Sequence, residues 1–461
     1  MKTLPQDFLR EIEQLLGEQE AAQLCAAIAE SQPTVSVRLN PLKMDKNILF
    51  SSEESVPWCK EWGRLLAERP RFTYDPLFHA GCYYVQEASS MFVAKAYEMI
   101  TKDFQPERLL DLCAAPGGKS TLWRALLPDE SMLVANEPIR QRAQILAENL
   151  TKWGHPNVVV TSAFPQEFAP LGSMFDVVAA DVPCSGEGMF RKDDGAIEEW
   201  SAEAVVECAE RQWEIISAVW PTLREGGYMV YSTCTFNREE NEDNVWRICN
   251  ELGAELVPIE IDEAWGIAGD TTGRNLPVYH FFPHKVKGEG LFLALLRKTS
   301  ESPIRKSKKN KKKASSTKRP AMKDASKLAS WIDDAKHYDL LPIGENVTTA
   351  VWHSYVEDVK GIVQTVRTLT AGVALAEEKG RKLIPQHALA LSTICREDAF
   401  PRVELTLEES LSYLRREAIV LPTDVPKGYV IAVFKGHPLG FLNNLGNRAN
   451  NLYPQEWRIR N

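Results

Sequence analysis

Two cysteines stand out by context rather than by number. The chain carries nine, at positions 25, 59, 82, 113, 184, 208, 234, 249 and 395. There is no CxxC pair and no Cys/His cluster at metal-ligand spacing, so neither a disulfide framework nor a metal is expected. Most read as small buried hydrophobes or free thiols. Cys184 lies in Asp181-Val-Pro-Cys-Ser-Gly-Glu-Gly188 and Cys234 in Ser232-Thr-Cys-Thr235, each directly after a short apolar run. A thiol at a strand end is a candidate covalent nucleophile wherever its surroundings favour the thiolate. Residue types alone do not say which of the two would attack.

The elements that must position these groups alternate in type. Leu109–Leu112, Met132–Ala135, Val158–Thr161, Phe175–Ala180 and Tyr228–Ser232 are short β-rich runs. Helical patterns lie between them, from the turn after Leu112 to Leu127, over Arg140–Trp153 and over Ala204–Trp220. Such alternation predicts a parallel sheet covered by helices on both faces. In an open sheet of that kind ligands bind beyond the carboxyl ends of the strands. Applied strand by strand, the rule gathers Asp111-Leu-Cys-Ala-Ala-Pro-Gly-Gly-Lys119, Asn136-Glu137, Ser162-Ala-Phe164, the Asp181–Gly188 stretch and Ser232–Thr235 on one edge.

The first of these turns is neither GxGxxG nor a phosphate-binding P-loop, but Gly117 and Gly118 would let the backbone approach a ligand closely. Glu137 lies 26 residues beyond Asp111, and an acid in that region could hold ribose hydroxyls or simply be a solvated charge at a helix start.

DLCAAPGGKS at 111–120, DVPCSGEGMFRKD at 181–193 and YSTCTFNREENE at 231–242 together resemble the Sun/Fmu family of RNA cytosine-5 methyltransferases. The likeness extends through Val35–Lys43, Tyr84–Met91 and Phe282–Lys298. Lys435-Gly-His-Pro-Leu-Gly440 and Asn450-Asn-Leu-Tyr-Pro-Gln-Glu-Trp-Arg458 look like the PUA-like tail of its RsmF branch, which modifies small-subunit (16S) ribosomal RNA. The resemblance implies an α/β fold: a Rossmann-like, doubly wound methyltransferase core with an N-terminal α+β RNA-binding module and a C-terminal PUA-like unit.

It implies S-adenosyl-L-methionine as cofactor, with Cys113, Ala114, Ala115, Pro116, Gly117, Gly118 and Lys119 holding its methionine portion and Glu137 its ribose. C5 of cytosine is too poor a nucleophile to take a sulfonium methyl unaided. A thiolate adding to C6 turns the ring into an enamine with electron density on C5. The resemblance assigns that attack to Cys234 and release of the product to Cys184. Asp181 is expected to contact the cytosine N3 and amino edge or the cofactor. RsmF relatives often carry an acid near position 164 for the adenine amino group, and Phe164 stands here instead. The adenine is then expected to meet backbone and apolar surface at Ala163-Phe164. Cys113 reads as a packing residue whose backbone serves the cofactor. The remaining six cysteines read as inert, and His280 and His284 as structural or RNA-facing. Rival readings are a non-catalytic ribosome-assembly factor on this scaffold and a tRNA methyltransferase. Two thiols at strand ends argue against the first.

Domain boundaries are expected at 1–70 (N-terminal module), 71–298 (core), 299–325 (basic linker), 326–402 (a unit with helical patterning over Val359–Glu378) and 403–461 (PUA-like unit). A chain cut after Lys298 would keep its cofactor site and lose RNA affinity. No apolar run approaches the ~18 residues that cross a membrane, and no secretory signal opens the chain. A cytoplasmic monomer is expected, with RNA as its partner and neither membrane nor DNA. The net charge of −9 hides an uneven distribution: Arg305 to Lys323 holds ten bases and no acid, leaving residues 1–304 at about −18. An acidic body that binds RNA must present a local basic groove or rely on its other parts.

Overall fold

The computed structural model describes residues 2–44, 53–301 and 324–460; the basic run Arg305–Lys323 and most of the 299–325 segment lie outside the described residues. Helices Gln6–Leu16 and Glu18–Glu30 open the chain. Their apolar stripe buries Phe8, Ile12, Leu24 and Ile28 against Phe190, Trp200, Phe236 and Phe282, residues behind both cysteine loops. A four-stranded antiparallel sheet follows: β1 (Val35–Leu39), β2 (Glu53–Ser55), β3 (Gly63–Leu66) and β4 (Tyr83–Val85), in the order β2-β3-β1-β4. This sheet therefore continues past residue 70. The buried Arg38 of β1 binds it to the core. Its Nε donates to Gln86 Oε1 at 2.7 Å and an Nη2 hydrogen to Thr121 Oγ1 at 2.6 Å, while the guanidinium stacks on Trp153 at 4.5 Å.

Strands β5 (Arg108–Asp111), β6 (Met132–Asn136), β7 (Val158–Thr161), β8 (Phe175–Asp181) and β9 (Leu223–Thr233) are parallel, in the order β9-β8-β5-β6-β7. Residues on both faces are apolar, as a doubly covered sheet requires. Leu109, Leu133 and Val177 pack with Leu122, Trp123 and Leu146 on one side, and Leu110, Val134 and Val178 with Ile216 and Val219 on the other. β10 (Ala254–Leu256), β11 (Val278–Phe281) and β12 (Leu291–Lys298) complete the β9 edge, with β12 antiparallel to β9. The strand order reverses between β5 and β8. The crevice that such a switch point opens thus falls between the Asp111 and Asp181 ends.

The C-terminal part departs from its sequence pattern. β13 (Tyr338–Pro342), β14 (Val347–Trp352), β16 (Val373–Lys379) and β17 (Lys382–Pro385) form one sheet, and β18 (Arg402–Glu404), β19 (Gly428–Phe434), β20 (His437–Asn444) and β21 (Ala449–Asn451) another. The helix expected over Val359–Glu378 is Val356–Thr365 only. Thr368–Ala371 is instead β15, antiparallel to β7, with Thr368 opposite Thr161 and Ala371 opposite Val159. The threonine and valine residues of 366–373 suit a strand, and the open edge of β7 supplies its hydrogen-bond partners. The last sheet packs on the N-terminal one, placing Val430, Leu442 and Tyr453 with Val37, Leu39 and Tyr83.

Tyr355, Val359, Ile362, Val366 and Ala371 share one apolar core with Met132, Val134, Val159 and Phe168. The parallel sheet is thus extended beyond β7 by a strand from the C-terminal part, which the sequence does not reveal. Ile362→Ala is expected to cost about 2–5 kcal/mol, in a single unfolding transition that includes the core. A chain cut after Lys298 should melt about 10 °C or more below the full chain, or fail to stay in solution. Equal melting curves by circular dichroism would contradict this coupling.

Candidate active site

Beyond the ends of β5 and β8 lies a cavity of about 520 Å³, within the range of small-molecule sites. Its wall includes Cys113, Ala114, Ala115, Pro116, Gly118, Lys119, Asp111, Asp181 and Cys234, with Tyr84, Gln86 and Met189 at other edges. A larger depression of about 880 Å³, lined by Asp333, Asp334, Arg396 and Asp398, lies on the C-terminal unit and holds none of the strand-end groups.

The first loop is shaped by its backbone. Ala114 N–H donates to Asn136 O at 2.8 Å, and Arg142 and Asn149 donate to the carbonyls of Ala115 and Pro116 at 3.0 and 2.8 Å. Gly117 takes φ +115°, a conformation that disfavours a side chain, and helix Gly118–Leu126 starts from it. The amide-bearing end of that helix faces the cavity at Gly118 and Lys119.

Asp181 is held from two sides. Ser232 Oγ–H donates to its Oδ1 at 2.8 Å, and Lys119 Nζ pairs with Oδ2 at 2.9 Å. Burial works against the lysine charge, but the Asp181 carboxylate outweighs it and holds the ammonium above its ordinary value. The Asp181 side chain keeps 36% of its surface exposed, so a ligand can reach it.

Cys184 and Cys234 are free thiols whose sulfurs lie 3.0 Å apart. Cys234 is on the cavity wall; Cys184 lies behind it, and its Sγ also accepts the Cys234 N–H at 3.4 Å. The hydrogen bond with Cys234, and then burial, push the Cys184 thiol well above the ordinary value. Cys184 is thus held as the thiol. Gly188 permits this approach: its N–H donates to Cys234 O at 2.8 Å, and a Cβ there would fall 2.6 Å from that oxygen.

Other expected residues are not on this cavity's wall. Glu137 is buried at the end of β6, accepting from Ile139 N–H at 3.0 Å and pairing with Arg142 at 3.3 Å. Phe164 follows β7, exposed, with its N–H on Glu167 Oε2 at 2.6 Å. His280 pairs with buried Glu242 at 2.9 Å and His284 with Glu20 at 3.4 Å, as structural residues do. Burial pushes up the thiols of Cys25, Cys59, Cys113 and Cys82, the last to about 12, and those of Cys208, Cys249 and Cys395 to about 11. The cavity cations Lys119, Arg142 and Lys192 are matched by Glu87, Asp111, Asp181 and Glu289, so this wall is not a strongly basic groove.

Three family models align with the chain: the N-terminal domain of 16S rRNA methyltransferase RsmF (residues 4–88), 16S rRNA methyltransferase RsmB/F (99–297) and the methyltransferase RsmF PUA domain (400–459). A ribosomal RNA small subunit methyltransferase F of Citrobacter koseri is 32% identical over 445 residues, 91% of this chain and 89% of its own. The chain belongs to the RsmF branch of the RsmB/F methyltransferases. Its counterpart in Aliivibrio salmonicida is 31% identical, covering 98% of this chain and 97% of its own. Among solved structures, NSun6 from Pyrococcus horikoshii with SFG, an analogue of S-adenosylmethionine, superposes with a TM-score of 0.55 at 21% identity, over 64% of this chain and 99% of that one. A methyltransferase homolog protein from the same organism gives 0.54 at 26%, over 64% and 95%. This RsmF-family chain is an RNA methyltransferase with a Rossmann-like core, and S-adenosylmethionine is its cofactor.

The cavity of the RsmF-family chain fits that cofactor on one observation the sequence did not single out. Asp111 is buried on the cavity wall; Ser120 Oγ–H donates to its Oδ2 at 2.6 Å, whereas Oδ1 has no partner among the described residues. A buried carboxylate oxygen left open in this way suits the cofactor's α-ammonium. Burial, and less so the Asp181 charge, raise the Asp111 carboxyl to about 7. Because its folded value exceeds its ordinary 3.8, its contribution to stability is present at low pH and lost as pH rises through about 7. Asp111→Asn is therefore expected to gain melting temperature relative to wild type as pH goes from 6 to 8 without cofactor. In calorimetry it should bind S-adenosylmethionine about tenfold or more weakly. Unchanged affinity would remove Asp111 from the cofactor site.

Proposed function

We propose that this enzyme methylates C5 of a cytosine in 16S ribosomal RNA, free or within the small subunit, through a covalent bond between Cys234 and C6. The observation that carries the reading is the pair of thiols at 3.0 Å, with only Cys234 on the cavity wall. The names of the family models and relatives support the RNA.

The target base must leave its stack to enter. Asp181, oriented by Lys119 and Ser232, accepts from the exocyclic amino group of the cytosine. Cys234 gives its proton to solvent water and bonds through the thiolate sulfur to C6, and the C5–C6 π pair moves to C5. S-adenosylmethionine, when bound, supplies an electrophilic methyl group. Residues 113–119 hold its methionine end, Glu137 its ribose and Ala163-Phe164 its adenine. For release, the C5 hydrogen leaves as a proton to solvent water, its electron pair reforms C5=C6, and the C6–S bond breaks with its pair on sulfur. Cys184, held as the thiol beside Cys234, stabilises that departing thiolate by an S–H hydrogen bond and keeps its proton.

Cys234→Ala is expected to abolish turnover and to leave no covalent species. Cys184→Ala should form the adduct and accept the methyl group, yet accumulate an RNA–protein complex on denaturing gels. An adduct in Cys234→Ala and none in Cys184→Ala would reverse the roles. Bisulfite sequencing of a strain lacking the enzyme should show loss at one or a few 16S cytosines. An unchanged 16S profile with loss in tRNA would move the substrate assignment.

A further inference from the structure

Two buried carboxylates tie the cysteine loops to each other. Glu187, in the loop after β8, accepts the N–H groups of Phe236 and Asn237, in the loop after β9, at 2.7 and 3.1 Å. Glu240, reached from that second loop, accepts the N–H of Ser185 in the first at 3.1 Å. Each loop's acid grips the other loop's backbone. Glu240 lies close behind Cys184. Gln212 donates through Nε2 both to Glu240 Oε2 at 2.6 Å and to the Pro183 carbonyl at 2.9 Å, and Asn237 donates to Glu240 Oε1 at 2.8 Å. The residues on either side of Cys184 are therefore fixed through one carboxylate. Cys234 has supports that do not involve Glu240, its carbonyl on Gly188 N–H at 2.8 Å and neighbouring Thr233 on Asn241 at 2.6 Å, while Glu240 reaches its other neighbour, Thr235, indirectly through Asn237, which donates to both.

We propose that Glu240 is a positioning residue for Cys184, setting the geometry of adduct release rather than of adduct formation. This rests on the reading in which Cys184 serves release. Three donors converge on the Glu240 side chain, so an acceptor at both oxygens is required. Glu240→Gln keeps the volume but replaces one acceptor with a donor facing Gln212 or Asn237.

The test is single-turnover reaction of the full chain with 16S RNA and S-adenosylmethionine, following adduct formation and release separately on denaturing gels. Glu240→Gln is expected to form the adduct within about twofold of the wild-type rate and to release it about tenfold more slowly, so that the covalent band accumulates. Wild-type release, or equal loss of formation and release, would overturn the role; the latter would mark a merely structural residue. If Glu240→Gln does not fold, Gln212→Ala, which removes the bridge to Pro183 from the other side, should show the same split, and its absence would count equally against the proposal. Full turnover by Cys234→Ala would instead sink the covalent reading itself, an outcome separable from failure of the Glu240 role in an enzyme that needs Cys234.

Discussion

Two sulfurs 3.0 Å apart cannot both carry a negative charge at neutral pH, and the rest of the site follows from that constraint. The pair must divide into a thiol and a potential thiolate, and the structure divides it by position. Both are half-buried, but Cys184 stands off the cavity wall with its thiol pushed up, whereas Cys234 borders the cavity. Such proximity requires the ends of β8 and β9 to lie side by side, which their parallel pairing from Val177–Tyr228 to Asp181–Ser232 provides. It also requires two loops to cross at Gly188, where any side chain would collide with Cys234 O. The reciprocal hydrogen bonds of Glu187 and Glu240 then hold the crossing against thermal motion.

The same sheet is extended at its other edge. β7, whose end bears Ala163-Phe164, is completed by β15 from the C-terminal part, where Ser162 N–H donates to Arg367 O at 2.8 Å. The C-terminal unit is therefore a structural neighbour of the cofactor edge as well as a link to the last sheet. Because the last sheet in turn packs on the N-terminal sheet, the flanking units close a ring of contacts around the core.

The parallel strands and the long helices were legible because their patterns are local: Val158–Thr161 and Arg140–Trp153 appear as expected. The strand-end rule brought Cys113, Lys119, Asp181 and Cys234 to one cavity. The order of the two thiols came from resemblance, since burial and sulfur–sulfur distance are tertiary quantities. Asp111 was read as part of a turn because only the fold shows one of its oxygens open. Glu187 and Glu240 look like ordinary surface acids in a charged stretch, and the backbone amides they bind leave no mark in sequence. β15 was hidden because a four-residue strand on the edge of a distant sheet has no local signature beside a strong helix.

The central claim, that Cys234 attacks C6 of a cytosine whose C5 is then methylated, is tested most directly with 16S RNA carrying 5-fluorocytosine. Fluorine at C5 cannot leave as a proton does, so the adduct cannot resolve after methyl transfer. Digestion and mass spectrometry of the trapped complex should find a methylated fluorocytidine attached to the peptide containing Cys234. Attachment at Cys184, or no covalent complex from an enzyme that methylates the unmodified RNA, would contradict it.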